Sequence, residues 1–380
     1  MNANTRKLHD LGQRLWLDNI TRDLLDSGTL ARYIADLSVT GLTSNPTIFE
    51  HAIGTGVSYD DTVQTLAARG LSEEGLFFEL ALQDLTRAAD LFRPVFDASD
   101  GVDGWVSLEV SPLLAGDTAG TIRAAAQLHT RAARPNLFIK IPGTTQGLPA
   151  IEQSIFDGVP INVTLLFSRE HYLAAAEAYL RGIERRIAAG LPPRVQSVAS
   201  IFVSRWDAAV KQEISPPFRN RLGIAVAMRC YQAHGDLLAG ARWRKLAAAG
   251  ARPQRLLWAS TATKDPAARD TLYVEALAAP ETINTIPEKT LLAFADHGQP
   301  GATLPADGGL ANAVLEEFRR EGVDDEALAA QLQRDGVLAF AKSWGGLLAR
   351  IREKSSAPPT TGATTTATPA AKATPAEHPQ

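Results

Sequence analysis

The sequence predicts an α/β fold, a (β/α)8 (TIM) barrel with extra helical insertions and C-terminal helices. Three observations carry this reading. Eight short β-branched or apolar runs recur along the chain, amphipathic helical stretches separate them, and polar residues suited to chemistry stand at the ends of the runs. Strand–helix alternation points to a parallel sheet, and eight such units in one chain point to a closed barrel.

In order, the strand-like runs are RLWLD (14–18), VTGLT (39–43), WVSLEV (105–110), LFIKI (137–141), INVTL (161–165), VQSVASIF (195–202), RLLWAS (255–260) and TINT (282–285). Stretches such as TLARYIADL, TAGTIRAAAQLHTRAA and REHYLAAAEAYLRGIERRIAAG lie between them, with apolar residues at helical spacing. The second-to-third and sixth-to-seventh intervals each exceed 50 residues, so extra helices are expected there. Beyond residue 300, ANAVLEEFRREG and DDEALAAQLQRDGVLAFAKSWGGLLARIRE read as further helices, expected to pack over the barrel exterior. From Ser355 onward the chain has no aromatic and mostly small, polar or proline residues. Such a segment cannot bury enough surface to offset its ordering entropy. The expected organisation is one barrel domain, 1–354, and a disordered Thr/Pro/Ala-rich tail, 355–380.

The 380 residues carry 38 basic and 42 acidic side chains, a formal net charge of −4, well mixed along the chain. No basic stripe for nucleic acid or basic amphipathic anchor for membranes stands out. The N-terminus lacks a signal-peptide apolar region, and no window approaches the roughly 18 apolar residues of a membrane span. A cytoplasmic protein with neither nucleic-acid nor membrane partner is expected. The single cysteine, Cys230, excludes an internal disulfide framework and a Cys-rich metal site; its helical surroundings read it as a buried apolar residue. The seven histidines are scattered, and GxxxxGK[ST], HExxH and GxSxG are absent. Covalent catalysis with no metal and no organic cofactor is the expectation that remains.

Barrel enzymes draw their reactive groups from the carboxyl ends of the strands and the loops that follow. Asp18, Thr43 and Asn45, Glu109, Lys140, Asn162 and Thr164, Ser200, Ser260 and Thr285 occupy those places on successive strands. Lys140 is the one charge in NLFIKIPGT. Alternation puts it on one face with Phe138 and opposite Ile139 and Ile141, so it points into the barrel if the isoleucines pack outward. Burial disfavours the ammonium form, and the neutral amine is what attacks a carbonyl. The alternative is a rim lysine paired with a carboxylate. Glu109 and Asp18 are lone carboxylates in apolar strands that could serve the proton transfers of Schiff-base chemistry; an ion pair for Glu109 and a helix cap for Asp18 are the structural alternatives. Asn45 before Pro46 also reads as a helix start. Arg205 and Lys264 follow the strand-end serines Ser200 and Ser260 by five and four residues, close enough to share an anion, or else are solvated surface charges.

Together LWLDNITRDLLDSGTL, VTGLTSNPTIFEHAI, VSLEVSPLLAGDT, NLFIKIPGTTQGLPAIE, INVTLLFSREHY, SVASIFVSRWD and LLWASTATKDP resemble the transaldolase family, in its longer-chain bacterial subgroup within the class I aldolase superfamily. The resemblance covers roughly residues 8–350. It implies a metal-free, cofactor-free transfer of a dihydroxyacetone unit between sugar phosphates in the non-oxidative pentose phosphate pathway. It makes Lys140 the Schiff-base nucleophile, Asp18 the acid/base for carbon–carbon cleavage, and Glu109 and Thr164 the groups that position water. Asn45 and Asn162 would hold substrate hydroxyls, Thr43, Ser200 and Ser260 would line the pocket, and Arg205 would bind phosphate. Lys264 stands where shorter members use an arginine nearby, so its role as second phosphate ligand is a departure from the pattern. The family forms homodimers and other assemblies. Two alternatives remain open: a fructose 6-phosphate aldolase, whose family has shorter chains and no glutamate at the water-activating position, and a non-catalytic sugar-phosphate-binding barrel, which would be expected to lack Lys140, Asp18 or Glu109.

Overall fold

The computed structural model describes residues 2–356. Eight parallel strands close into one barrel in chain order: β1 (Arg14–Asp18), β2 (Val39–Thr43), β3 (Val106–Glu109), β4 (Leu137–Pro142), β5 (Ile161–Leu166), β6 (Ser197–Phe202), β7 (Arg255–Ala259) and β8 (Ile283–Ile286). Their ends fall within two residues of the runs read from the sequence. Apart from the two ends of β1, every strand residue is buried, because helices cover the outer face and side chains fill the inner one.

The inner face is layered. The Trp16 indole lies across the position where a Cβ on Gly41 would stand, 2.5 Å from the ring, so β2 needs glycine at that point. Phe138 stacks on Trp105 with centroids 4.0 Å apart and meets Trp16 at 6.2 Å. Trp16 keeps its polar handle satisfied by donating Nε1–H to Asp103 at 2.9 Å. Two residues further along these strands, on the same face, stand Asp18, Thr43 and Lys140. An aromatic floor therefore underlies a polar upper layer.

The long intervals contain the expected helices, Pro46–Thr55, Asp60–Ala67 and Glu73–Ala98 in the first, and Ser204–Val210, Leu222–Ala239 and Ala241–Ala248 in the second. Cys230 is buried in Leu222–Ala239. The helix Ala311–Arg320 packs outside the barrel against Leu222–Ala239, as expected. The last helix, Asp325–Ser356, departs from the expectation of an exterior helix: it crosses the carboxyl-end mouth. Gln333 Nε2 donates to the carbonyls of Gly143 and Leu165 at 3.1 and 3.0 Å, Thr47 bonds Ser343 at 2.8 Å, and Trp344 meets Phe77 edge-on at 4.9 Å. Its buried stripe, Ala329, Leu332, Gly336, Phe340, Trp344, Leu347 and Ile351, has helical spacing. That periodicity announces a buried face without saying which surface it covers. The helix includes Ser355 and Ser356; the rest of the segment read as a tail lies outside the described residues. Among the described residues no helix is long and apolar enough to cross a membrane.

The loop after Lys140 is tightly wound. Gly147 begins the helix Gly147–Phe156 and donates its N–H to Thr144 Oγ1 at 3.0 Å, while a Cβ there would stand 2.0 Å from the Pro142 carbonyl oxygen. Backbone cannot move aside as a side chain can. Gly147→Ala should cost about 1–3 kcal/mol of stability through overpacking, seen as a lower thermal unfolding midpoint; an unchanged midpoint would contradict this close approach.

Candidate active site

The carboxyl ends of the strands surround a cavity of about 440 Å3. Asp18, Thr43, Asn45, Lys140, Thr164, Ser200, Arg205, Ser260, Lys264 and Thr285 all line it. Glu109 and Asn162 lie just behind the wall, bonded to residues that form it. Every residue singled out from the sequence is thus brought to one place.

Lys140 and Glu109 are register partners on β4 and β3, and both are nearly sealed, 5 % and 4 % exposed. Their charged ends are 3.1 Å apart. Lys140 Nζ also donates to the Ser44 carbonyl at 3.2 Å. Lys140 and Glu109 form a close ion pair deep in the barrel. Burial raises the Glu109 carboxyl above its usual range, with the Lys140 charge opposing the shift. A carboxyl lifted by burial and held this close to an amine is placed to take up and return a proton.

Thr164 Oγ1 is buried without a hydrogen-bond partner among the described residues. The β5–β6 register shifts between Val163 and Leu166, and Leu165 sits in the left-handed region at φ 58°. A bulge next to a site re-aims a side chain; here it lies beside Thr164, and Gln333 occupies its carbonyl.

Asp18 is fixed from the side. Thr43 donates to Asp18 Oδ1 at 2.8 Å, and the Thr43 and Thr285 hydroxyls are 2.6 Å apart. A hydroxyl has one proton, so with Thr43 committed to the carboxylate, Thr285 donates to Thr43. Although Asp18 keeps some contact with solvent through the cavity, its carboxylate is set deep in protein. Burial raises its pKa, opposed by the charge of Lys140, the Thr43 hydrogen bond and the charge of Lys264. The capping alternative fails: Thr21 caps the next helix, its side chain accepting from Leu24 N–H. Asn45 does both jobs, capping Pro46–Thr55 through Ile48 N–H at 3.1 Å and lining the cavity.

The Asn162 amide is oriented at both ends. Its oxygen accepts from Ser200 at 2.7 Å and its nitrogen donates to Ser107 at 3.1 Å, leaving one amide hydrogen available. Ser260, at φ 54°, places its hydroxyl 3.1 Å from that of Ser204. Arg205 is half-buried, with its Cζ 5.0 Å from the Phe202 ring centroid and 5.9 Å from that of Phe340. It forms no hydrogen bond or ion pair among the described residues, and burial lowers its pKa. A guanidinium with its donors free, facing a cavity, suits a phosphate. Lys264 is exposed at the rim.

The sequence reading missed Ser107, Ser44, Phe202 and Phe340. Ser107 precedes Glu109 by two positions, so alternation on β3 could have found it. Phe340, from a helix 200 residues beyond Lys140, leaves no local signal. Among the described residues no group of three or more His, Cys, Asp or Glu is arranged to hold a metal ion.

Because burial lifts Asp18 above its unfolded pKa, its protonated form favours folding. That contribution is complete below the unfolded carboxylate range and is lost as pH rises through the raised value. Asp18→Asn should therefore be more stable than the native chain near about pH 8, by about 0.5–2 kcal/mol, as removal of functional strain commonly gives. The gap should close toward about pH 4, the ordinary aspartate range. Thermal melts at both pH values check this; a variant less stable at the higher pH would contradict it.

A family model described as transaldolase/fructose-6-phosphate aldolase matches residues 15–351. The chain is 46 % identical over 355 residues to a protein of Thiobacillus denitrificans named transaldolase, covering 91 % of this chain and 99 % of that one. It is 45 % identical over 363 residues to a transaldolase of Thermobifida fusca, covering 93 % and 99 %. It is 44 % identical over 357 residues to transaldolase 1 of Streptomyces avermitilis, covering 92 % and 94 %.

Proposed function

The chain belongs to the transaldolase/fructose-6-phosphate aldolase family, and from that premise we propose that it is a transaldolase whose nucleophile is Lys140. It moves a dihydroxyacetone unit from sedoheptulose 7-phosphate or fructose 6-phosphate to glyceraldehyde 3-phosphate or erythrose 4-phosphate, in the non-oxidative pentose phosphate pathway. The observation that carries the reading is the buried Lys140–Glu109 contact at 3.1 Å, opening on a cavity that also holds Asp18 and Arg205. We place the enzyme in the cytoplasm, with sugar phosphates as its partners and a homodimer as its assembly.

The chemistry follows from the groups present. Lys140, its proton passed to Glu109, adds through nitrogen to the C2 carbonyl of the donor. The carbinolamine loses water, with Glu109 and Thr164 assisting the departing hydroxyl, and an imine forms. Asp18 takes the proton of the C4 hydroxyl; the C3–C4 electrons move into the imine, and an aldehyde phosphate leaves. Its raised pKa suits Asp18 to hold that proton until it is returned. The three-carbon enamine on Lys140 then attacks the acceptor aldehyde, Asp18 gives the proton back, and water releases the new ketose. The Asn162 amide hydrogen and the Asn45 amide hold hydroxyls of the three-carbon unit, with Thr43, Ser200 and Ser260 lining the pocket. Arg205 binds the phosphate, and Lys264 adds charge at the rim.

The aldolase branch of the family would release free dihydroxyacetone. A glutamate at position 109 and relatives named transaldolase along almost their whole length support the transferase instead. Fructose 6-phosphate without acceptor should give a burst of one glyceraldehyde 3-phosphate per active site and then stop until erythrose 4-phosphate is added. Continuous release of dihydroxyacetone would make the enzyme an aldolase; no aldehyde at all would remove the catalytic reading. Arg205→Ala should raise KM for phosphorylated acceptors by about tenfold to a hundredfold, the scale of a lost hydrogen bond to a charged group. Its KM for unphosphorylated glyceraldehyde should stay near that of the native enzyme, and equal losses for both acceptors would count against Arg205 as the phosphate ligand.

A further inference from the structure

The last helix contributes one side chain to the reaction cavity, Phe340, and none of the steps above uses it. The ring is 5 % exposed, with its centroid 5.7 Å from Lys140 Nζ and 5.9 Å from Arg205 Cζ. It therefore walls the stretch between the nucleophile and the guanidinium. Its height over the barrel is set by the helix around it. Gln333 ties the preceding turns to the Gly143 and Leu165 carbonyls, and Ser343 meets Thr47 beyond. At Gly336 a Cβ would come within 2.9 Å of Leu165 Cδ2 and 3.3 Å of Arg205 Nη1. Glycine inside a helix costs about 1 kcal/mol relative to alanine, and here it lets the helix approach closely enough for Phe340, one turn on, to reach the cavity.

We propose that Phe340 is a specificity-determining residue that keeps water away from the three-carbon unit while that unit is bound to Lys140, so that an acceptor aldehyde takes it. This rests on the Schiff-base transferase reading given above. When the first aldehyde phosphate leaves, it empties the space between Lys140 and Arg205, and the enamine has two fates there. In transfer, C3 forms a bond to the acceptor carbonyl carbon and the new alkoxide takes the proton from Asp18. In loss to water, C3 takes a proton instead and the enamine becomes an iminium. Water then adds at C2 and gives up a proton, and the carbinolamine collapses to dihydroxyacetone and the Lys140 amine. The net change in that second route is enamine plus water to ketone plus amine, with no other reactant. The Glu109 and Thr164 side must admit water, because imine hydrolysis ends every turnover. Phe340 lines the stretch toward Arg205 with an aromatic surface that cannot hydrogen-bond water, and an apolar wall protects a reactive intermediate.

The test measures two products at once, in the native enzyme and in Phe340→Ala and Phe340→Leu, with fructose 6-phosphate and limiting erythrose 4-phosphate. The ratio of free dihydroxyacetone to sedoheptulose 7-phosphate does not depend on how much of the enzyme is active. In Phe340→Ala it should rise by about tenfold, the change that about 1.4 kcal/mol of barrier produces, while Phe340→Leu, which refills the space, stays near the native value. A fall in both products at constant ratio would mean that Phe340 only supports the fold, and would overturn the proposal. If Phe340→Ala does not fold by circular dichroism, Phe340→Val and Phe340→Leu give the same reading: the ratio must rise as the side chain shortens, and a flat series overturns the proposal. A native enzyme with no aldehyde burst from donor alone would overturn the Schiff-base reading itself and this role with it; a normal burst with an unmoved ratio removes the role alone.

Discussion

A lysine and a glutamate on adjacent strands, 3.1 Å apart and almost cut off from solvent, are the constraint around which the upper barrel is arranged. Two isolated charges in such a place would be costly, and their mutual attraction offsets the desolvation only in part. That imbalance makes the pair useful, because a carboxyl lifted by burial and 3.1 Å away can take the proton that an amine must shed before it attacks a carbonyl. The surroundings are consistent with this. The Ser44 carbonyl gives Lys140 one acceptor, the Glu109 carboxylate is paired with Lys140, and the Thr164 hydroxyl has no hydrogen-bond partner among the described residues. Fully bonded, that hydroxyl would hold its proton in place; left open, it can exchange it with a reacting hydroxyl.

Below the pair, Trp16, Trp105 and Phe138 close the barrel with aromatic packing. Beside it, the chain from Thr285 through Thr43 to Asp18, and that from Ser200 through Asn162 to Ser107, fix the orientation of each polar group by hydrogen bonds across the barrel interior. Above it, the last helix covers the mouth and holds the bulged end of β5 through Gln333. Reactive groups placed on strands and tied to one another stay within narrow limits of position, which proton transfer and bond cleavage both require.

Much of this was legible in the chain. The eight strands could be read because a parallel barrel buries both faces, giving apolar runs that end where the polar residues begin, as in LFIKI and VTGLT. Lys140, Glu109 and Asp18 were visible for the same reason, since a lone charge in such a run has few explanations other than a pair or a reaction. Asn45 was ambiguous in sequence and the structure keeps both readings, cap and cavity wall. What could not be read was long-range placement. Amphipathic spacing in 325–356 predicts a buried stripe, but neither pattern nor propensity says that it lies over the barrel mouth, so Phe340 was invisible as a site residue. The bulge beside Thr164 was hidden too, because INVTLL contains no glycine to mark a left-handed position at Leu165.

The central claim is that Lys140 carries the substrate carbon, and borohydride trapping addresses it most directly. The protein would be incubated with fructose 6-phosphate, reduced, weighed intact and mapped by peptide mass, with Lys140→Met carried alongside. The account predicts one reduced dihydroxyacetone unit per chain, located on the FIKIPGT peptide, and none on the variant. An adduct on another lysine, or no adduct on folded protein with intact donor, would contradict it.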